Sequence, residues 1–576
     1  MLKFKFYLFL IIYSHVIVVY NIKSINYIEY FNTQQKTYYE VILFYENLNE
    51  NHTSININPF GFTDSGHPLH LVTFDPEGTF DFKKLQNEKA IILINNGIHP
   101  GEPDGIEATM QLFNDLANGT IEIPKNTIVA TIPVYNIGGA LNRNSTTRTN
   151  QNGPDEYGFR GNARNYDLNR DFVKSDSRNA RAFAEIFHAV NPDVFIDNHV
   201  SNGADYQYTI THLFTQHNKL GGELGNYLHK TFIPEVEKNL KQKEWNITPY
   251  VNVFNRPPDT GFTQFMDSPR YSTGYTTLFN TLGMMVETHM LKPYEDRVKG
   301  TYAIMKSMIE VTDINFKTIK SLRKNAIKQF KPADEYPIQW EVDSTHFTKL
   351  DFKGYESDYR ESKVTGKTRL FYDRNKPFTK EVNFYNYFNP SKSVSIPKGY
   401  IIPQGWWNVI ELLKINQIEI QQLENDTLIQ TEVYRIEDFK TRTTAYEGHY
   451  MHYNTNLSKQ MEKTVVNKGD YLVLTDQPGI RYLLETLEPE AVDSFFNWNF
   501  FDTILQQKEG FSPYVFEEIA EELLENNPEL KLRFDIKKQE NEAFRENGYA
   551  QLNWLHKQSK HYEKAHMRYP ILRVLN

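Results

Sequence analysis

The sequence predicts an α/β fold: a mixed, mostly parallel sheet with helices on both faces, followed by a C-terminal α+β domain. Three observations carry this. Short apolar runs at residues 90–94, 127–135 and 193–197 read as strands buried on both faces. Segments of helical spacing separate them, the alternation of βαβ units. Beyond about residue 335 the pattern changes to short alternating segments and then to a mainly helical tail.

Composition narrows the classes. At 576 residues the chain exceeds one ordinary core, and 40% hydrophobic with 14% aromatic residues excludes bulk disorder. A net charge of −9 leaves no basic footprint for nucleic acid. There is no cysteine. That removes disulfides, a thiol nucleophile, thiolate metal sites and a lipidated cysteine anchor, so any metal must be held by His, Asp and Glu.

Taken in order, Lys3 and Lys5 precede an apolar run at residues 6–20 broken by Ser14 and His15. This is a signal peptide within residues 1–24, too short for a comfortable membrane span. Export, periplasmic or secreted, is expected; contact with a membrane requires that the run stay uncleaved as an anchor. A first domain is expected over residues 34–316, with no room for a pro-segment ahead of it.

Residues 37–47 form a short amphipathic helix, and 55–62 and 69–74 form strands around Asp64-Ser-Gly. The strand 90–94 leads into a polar turn with His99 and Glu102. Ile106, Met110 and Phe113 then recur at helical spacing, with Asp104 placed as N-cap. Residues 127–135 are the second buried strand. The long polar stretch 142–164 has no apolar period and reads as a functional surface loop. Residues 177–190 carry Ala180, Phe183, Ile186 and Phe187 on one helical stripe. Residues 193–197 are a third strand ending at Asn198-His199. A helix at 224–240, a fourth strand at 283–286 ending at Glu287, and a helix at 297–311 complete the set. A basic, polar stretch around 318–335 marks the boundary to the second domain, residues 335–576. There, 395–403 is strand-like, 406–416 helical and 418–423 a strand. An acidic helix covers 515–526.

In open parallel sheets, ligands bind beyond the carboxyl ends of the strands. His99 with Glu102, His199, and Glu287 all fall at such ends, so three separate segments can meet at one site. The His-x-x-Glu spacing alone carries little, since 17 histidines in a chain one-eighth acidic give about two such pairs by chance, and His99 makes the one observed. Its setting is what counts. Catalytic zinc takes three protein ligands, two His and one Glu among the known sets, and keeps a position for water. The loop Phe159-Arg-Gly-Asn-Ala-Arg-Asn-Tyr-Asp-Leu-Asn-Arg-Asp-Phe172 adds Arg160, Asn169 and Arg170, donors suited to a carboxylate.

These motifs, in this order, resemble those of the zinc carboxypeptidases of the carboxypeptidase A type, across roughly residues 34–313. His99-Pro-Gly-Glu102 is similar to their first metal motif. The segment 158–163 with Asp167-Leu-Asn-Arg170 is similar to their anchor for the substrate carboxylate, Asp197-Asn-His199 to their third ligand, and Met285-Val-Glu287 to their catalytic glutamate. The resemblance implies one Zn2+ per chain on His99, Glu102 and His199. It implies that Arg160 polarises the scissile carbonyl, that Asn169 and Arg170 hold a free C-terminal carboxylate, and that Glu287 is general base and then acid. Asp167 would orient His99. The family's mobile tyrosine has no match at the usual distance; Tyr271 is the candidate and Tyr275 the alternative, on a shortened loop. Val-Ser-Asn-Gly-Ala-Asp after His199 departs from the digestive members, which indicates a distant, bacterial-type branch.

The implied activity is removal of C-terminal residues from peptides. Cell-wall peptide cleavage and N-acyl amino-acid deacylation on the same scaffold are the alternatives, and an inert binding module is a third. In the second domain, Glu447-Gly-His-Tyr-Met-His-Tyr453 spaces His449 and His452 as a weak second metal motif or a surface turn. Trp406-Trp407 and the aromatic run 495–501 suit core packing and docking better than a ligand groove. His556, His561 and His566 read as surface residues.

Overall fold

A computed structural model describes residues 35–575; the expected signal segment at residues 1–24 lies outside the described residues. Among the described residues, nine strands belong to the N-terminal region: β1 (Ile55–Phe62), β2 (Pro68–Phe74), β3 (Ala90–Asn95), β4 (Thr127–Ile132), β5 (Val194–Ser201), β6 (Ile210–Phe214), β7 (Ile247–Pro249), β8 (Phe262–Thr263) and β9 (Leu282–His289). All but β8 form one sheet in the order β1-β2-β4-β3-β5-β9-β6-β7. Its centre, β4-β3-β5-β9, is parallel; the pairs β1-β2, β2-β4 and β9-β6 are antiparallel, and β6-β7 is parallel again. Every residue of β3, β4 and β5 is buried, as strands covered on both faces require.

The helices follow from local signals. Thr37 and Glu40 close a capping box on α1 (Tyr38–Asn51). After α2 (Phe82–Glu88), α3 (Asp104–Asn118) ends at Gly119 in left-handed backbone. The short α4 (Ile137–Leu141) starts at Asn136, and Ser177 caps α5 (Arg178–Val190). From β3 the chain crosses through α3 to β4 on one side, then returns through α5 to β5 on the other. Right-handed crossovers in opposite directions place α3 and α5 on opposite faces. The β3/β5 boundary is therefore the switch point of the sheet, where a crevice opens at the carboxyl ends.

Four local expectations change. Asp104 is the first helical residue of α3 rather than its cap, and its carboxylate is taken by Arg297 and Thr288 instead. β5 and β9 run on to Ser201 and His289, so His199 and Glu287 lie inside paired strands, not after them. The polar residues there stay in the ladder because the two strands pair with each other and His199 binds Asp197 at 2.9 Å. The helix expected at 297–311 is Tyr294–Ala326, continuing through much of the polar stretch read as a boundary. Finally, the helix expected at 224–240 is broken by a π-helical turn at Leu228–Phe232.

The C-terminal region is richer in long hairpins than the sequence indicates. Thr348–Glu361 and Thr368–Tyr385 pair along their length, and the second also pairs with β8. A six-stranded antiparallel sheet includes Gly399–Ile402, Thr427–Thr441 and His452–Val466. Helices from Pro513 to His556 enclose a small core of their own. His556 is buried against Phe511 and Phe516, not at the surface as expected. Phe495, Phe496, Trp498 and Phe501 are buried, whereas Trp407 is exposed. One buried apolar cluster runs from Tyr38 through the sheet to Ile571, so the two regions share a core. Among the described residues, no helix is long and apolar enough to cross a membrane.

Candidate active site

The turn after β3 brings its two acidic-and-basic residues together by a local bond, Glu102 N–H to His99 O at 2.8 Å. Gly105, in the first turn of α3, lets this segment close on β5: a Cβ there would stand 2.3 Å from Cβ of Asn198. β5 pairs in parallel with β9 so that His199 is the partner of Glu287. Residues in register on neighbouring strands share a face about 5 Å apart.

His99, Glu102 and His199 consequently each offer a ligand atom within 4.8 Å of the others, and all three are buried. His99 Nδ1 lies 3.3 Å from Glu102 Oε1, and His199 Nδ1 lies 3.2 Å from Glu102 Oε2. On the far side of each ring, Nε2 meets a carboxylate: Asp167 for His99 at 2.8 Å and Asp197 for His199 at 2.9 Å. Those carboxylates accept the Nε2–H, which leaves both Nδ1 lone pairs aimed at Glu102. His99 Nδ1 is buried without a hydrogen bond. Two lone pairs facing a carboxylate repel unless a proton or cation lies between them, so this donor set fits a divalent ion with one oxygen and two nitrogen ligands.

The surrounding charges work in the same direction. Burial pushes the Glu102 carboxyl up, but the Arg148 guanidinium and the two imidazoles outweigh it and hold it well below the usual range. Burial likewise opposes Asp167, yet His99 and Arg160 keep it strongly acidic. Burial would lower His199; Asp197 and Glu102 overcome this and favour a positive charge at that ring. Glu287 is pushed up to about 8, mainly by burial and then by Glu102 and Asp197, with His199 and Arg160 opposing. A carboxyl poised in this way suits proton transfer near neutral pH.

Arg160 binds Asp167 Oδ2 through Nε at 3.0 Å and reaches Glu102 Oε1 through Nη1 at 3.5 Å, with nearly half its side chain open to solvent. Asn169 Oδ1 accepts from Ser272 N–H at 3.2 Å, which leaves its amide donors available. Arg170 stacks on the Tyr271 ring, 4.5 Å to the centroid. Tyr275 is buried and its hydroxyl donates to Asn416 at 2.6 Å, away from this patch.

Three participants were not singled out from the sequence. Arg148 donates to Glu102 Oε1 at 2.7 Å and to Val200 O at 3.1 Å. No local pattern marks it within its polar loop. Ser272 donates to Asp197 at 2.5 Å. Asp197 itself was legible, because i and i+2 on a strand share a face and a carboxylate behind a ligating imidazole is a recurrent pair. His449 binds Asp176 and His452 binds Asp502, so these two histidines diverge.

A mixed sheet with a buried His–Glu–His set at its switch point, flanked by guanidinium groups and a raised glutamate, can hold a divalent ion beside a carboxyl able to move a proton. A family model described as zinc carboxypeptidase matches residues 41–194. Carboxypeptidase 2 of Trichophyton tonsurans is 21% identical over 449 residues, covering 72% of this chain and 74% of that protein. Carboxypeptidase 2 of Trichophyton rubrum is 21% identical over 439 residues, covering 71% and 73%. Among solved structures, a metallo-carboxypeptidase from Burkholderia cenocepacia matches 49% of this chain and 70% of its own, at 16% identity and a TM-score of 0.37. The resemblance read from the motifs is borne out: residues 41–194 match the zinc carboxypeptidase model, and most of the chain is distantly similar to proteins named carboxypeptidase.

Proposed function

We propose that the chain is an exported zinc carboxypeptidase that hydrolyses the last peptide bond of peptides with a free C-terminal carboxylate. His99, Glu102 and His199 would hold one Zn2+, which supplies a Lewis-acid centre and lowers the pKa of water towards about 7. Glu287, in register with His199 on the adjacent strand, takes the proton of the attacking water and passes it to the leaving amine. The Arg160 guanidinium faces the centre and polarises the carbonyl as negative charge develops on its oxygen. Asn169 and Arg170 receive the terminal carboxylate, with Tyr271 closing over that end. Asp167 and Asp197 hold the two imidazoles in the tautomer that presents Nδ1.

The observation that carries this reading is the meeting of the three ligand atoms within 4.8 Å beside Glu287. Peptides with free and with amidated C-termini, assayed on the zinc-loaded full chain with and without chelator, test it. Chelator-sensitive release of single C-terminal residues from the free form alone is expected. Equal turnover of the amidated form would remove the carboxylate anchor, and full activity in chelator would remove the metal.

A further inference from the structure

The C-terminal region reaches the active site through one tight turn. The loop between strands Thr427–Thr441 and His452–Val466 folds back on itself at residues 446–449. Tyr446 and His449 exchange both backbone hydrogen bonds, at 2.8 and 3.1 Å. Between them Glu447 has φ of +50° and Gly448 of +82°. This is a two-residue hairpin turn with left-handed backbone at both central positions, ordinarily filled by Asn, Asp or Gly. Gly448 fits for two reasons: its φ is positive, and a Cβ there would stand 3.2 Å from the Tyr166 ring. Glutamate in left-handed backbone is disfavoured, and such strain persists where something else requires the side chain.

What Glu447 does is visible. Its Oε2 accepts the backbone N–H of Asp167 at 2.8 Å. Asp167 in turn accepts from His99 Nε2 at 2.8 Å and from Arg160 Nε at 3.0 Å. His449 grips the same loop a second time, Nε2 to Asp176 Oδ2 at 2.7 Å, and Asp176 binds the buried Lys174 at 2.8 Å. The turn therefore clasps the loop carrying Arg160, Asp167, Asn169 and Arg170 at two points.

We propose that Glu447 is a positioning residue of the active site contributed by the C-terminal region: it fixes the backbone of Asp167 and, through that carboxylate, the His99 imidazole and the Arg160 guanidinium. The inference rests on the zinc reading above and extends it, since the site is complete only with the second region docked. A carboxylate accepting a backbone N–H is a strong, directional anchor. Its loss acts on a metal ligand and on the carbonyl-polarising arginine, and through the Asp167 cap of Leu168–Arg170 on the turn bearing Asn169, so metal affinity and kcat/KM fall together.

The test uses the full chain and its Glu447→Ala and Glu447→Gln variants. Zinc affinity is read by competition with a chromophoric chelator, and kcat and KM on a peptide with a free C-terminus. The alanine variant should bind zinc about tenfold more weakly, the lower end for groups behind metal ligands, and lose kcat/KM to a similar degree. The glutamine variant, whose amide oxygen accepts the same bond, should restore both. An alanine variant equal to the native chain in both readouts overturns the proposal, as does a glutamine variant no better than alanine. A native chain that binds no zinc removes the zinc reading and this one together, whereas native binding with an unchanged variant removes this one alone.

Discussion

Replacing Asp167 by asparagine probes the imidazole chemistry of the site. One carboxylate oxygen, Oδ1, accepts from His99 Nε2 at 2.8 Å and from the Asn169 N–H at 3.0 Å. The other, Oδ2, accepts from Arg160 Nε at 3.0 Å and lies 2.8 Å from its Nη2. An amide has a single oxygen. Neither arginine nor the Asn169 N–H can accept a hydrogen bond, so either orientation sets the NH2 against a donor; with the oxygen kept on the charged Arg160, the NH2 turns to His99. It then donates to Nε2 and drives the ring proton to Nδ1, the atom that faces Glu102 and His199. An alanine leaves Nε2 to donate to water and does not impose that tautomer. Loss of a partner behind a ligating imidazole costs 10- to 100-fold in metal affinity, about 1.4 to 2.7 kcal/mol. The half-exposed Arg160 pair adds under about 1 kcal/mol. Zinc affinity by chelator competition, with circular dichroism as the folding control, should therefore fall about 10- to 100-fold in Asp167→Asn. The ordering is the sharper test, because asparagine should be no better than alanine. An asparagine variant binding zinc within twofold of native, or clearly tighter than Asp167→Ala, would refute the tautomer argument.

Other outcomes follow from the same geometry. Glu287→Gln should lower kcat by about 10²- to 10⁴-fold while bound zinc, measured by metal analysis, stays at the native level; retained turnover in the zinc-replete variant would contradict the proton-transfer role. Asp104→Ala leaves the fully buried Arg297 guanidinium without its carboxylate, bound at 2.9 Å, and should cost about 3–5 kcal/mol in urea unfolding. A loss below about 1 kcal/mol would mean that the backbone carbonyls of Asn152, Lys292 and Gly153 suffice for that charge. Burial lowers His188 from 6.5 to about 4, so above pH 6.5 its neutral ring contributes full stability, which is lost as pH falls towards 4. The full displacement corresponds to about 3 kcal/mol, and partial solvent contact reduces it to about 2. Urea midpoints at pH 7 and 4.5 should converge in His188→Gln, and an unchanged pH dependence would assign the effect to other groups.

Much of this was legible locally. The mainly apolar runs located β3, β4 and β5 because strands covered on both faces have no solvent side to impose an alternation. The starts of α1 and α5 were readable to within a residue, at 37 and 177, where Thr37 and Ser177 cap by contacts within one turn. The ends of β5 and β9 were not. Apolar periodicity stops at Ile196 and Val286, yet backbone pairing of the two strands continues, with Asp197 and His199 bound to each other. The long hairpins of the C-terminal region escaped for a similar reason: exposed on both sides over much of their length, Thr348–Glu361 and Thr368–Tyr385 lack a clear two-residue alternation.

By itself the sequence determined the chemical kinds of group at the site: imidazoles and carboxylates in the absence of any thiol, and guanidinium groups in a loop rich in donors. It also determined that the turn at His99 and Glu102 leaves a buried strand, because strand, turn and helix are set by contacts a few residues apart. Only the tertiary structure decided that His199 stands beside Glu287, that Arg148 holds Glu102, and that Glu447 reaches back to Asp167. Those contacts depend on strand register, on the hand of the crossovers and on how a second region docks. None of these leaves a local period in the chain for a reader of the sequence to find.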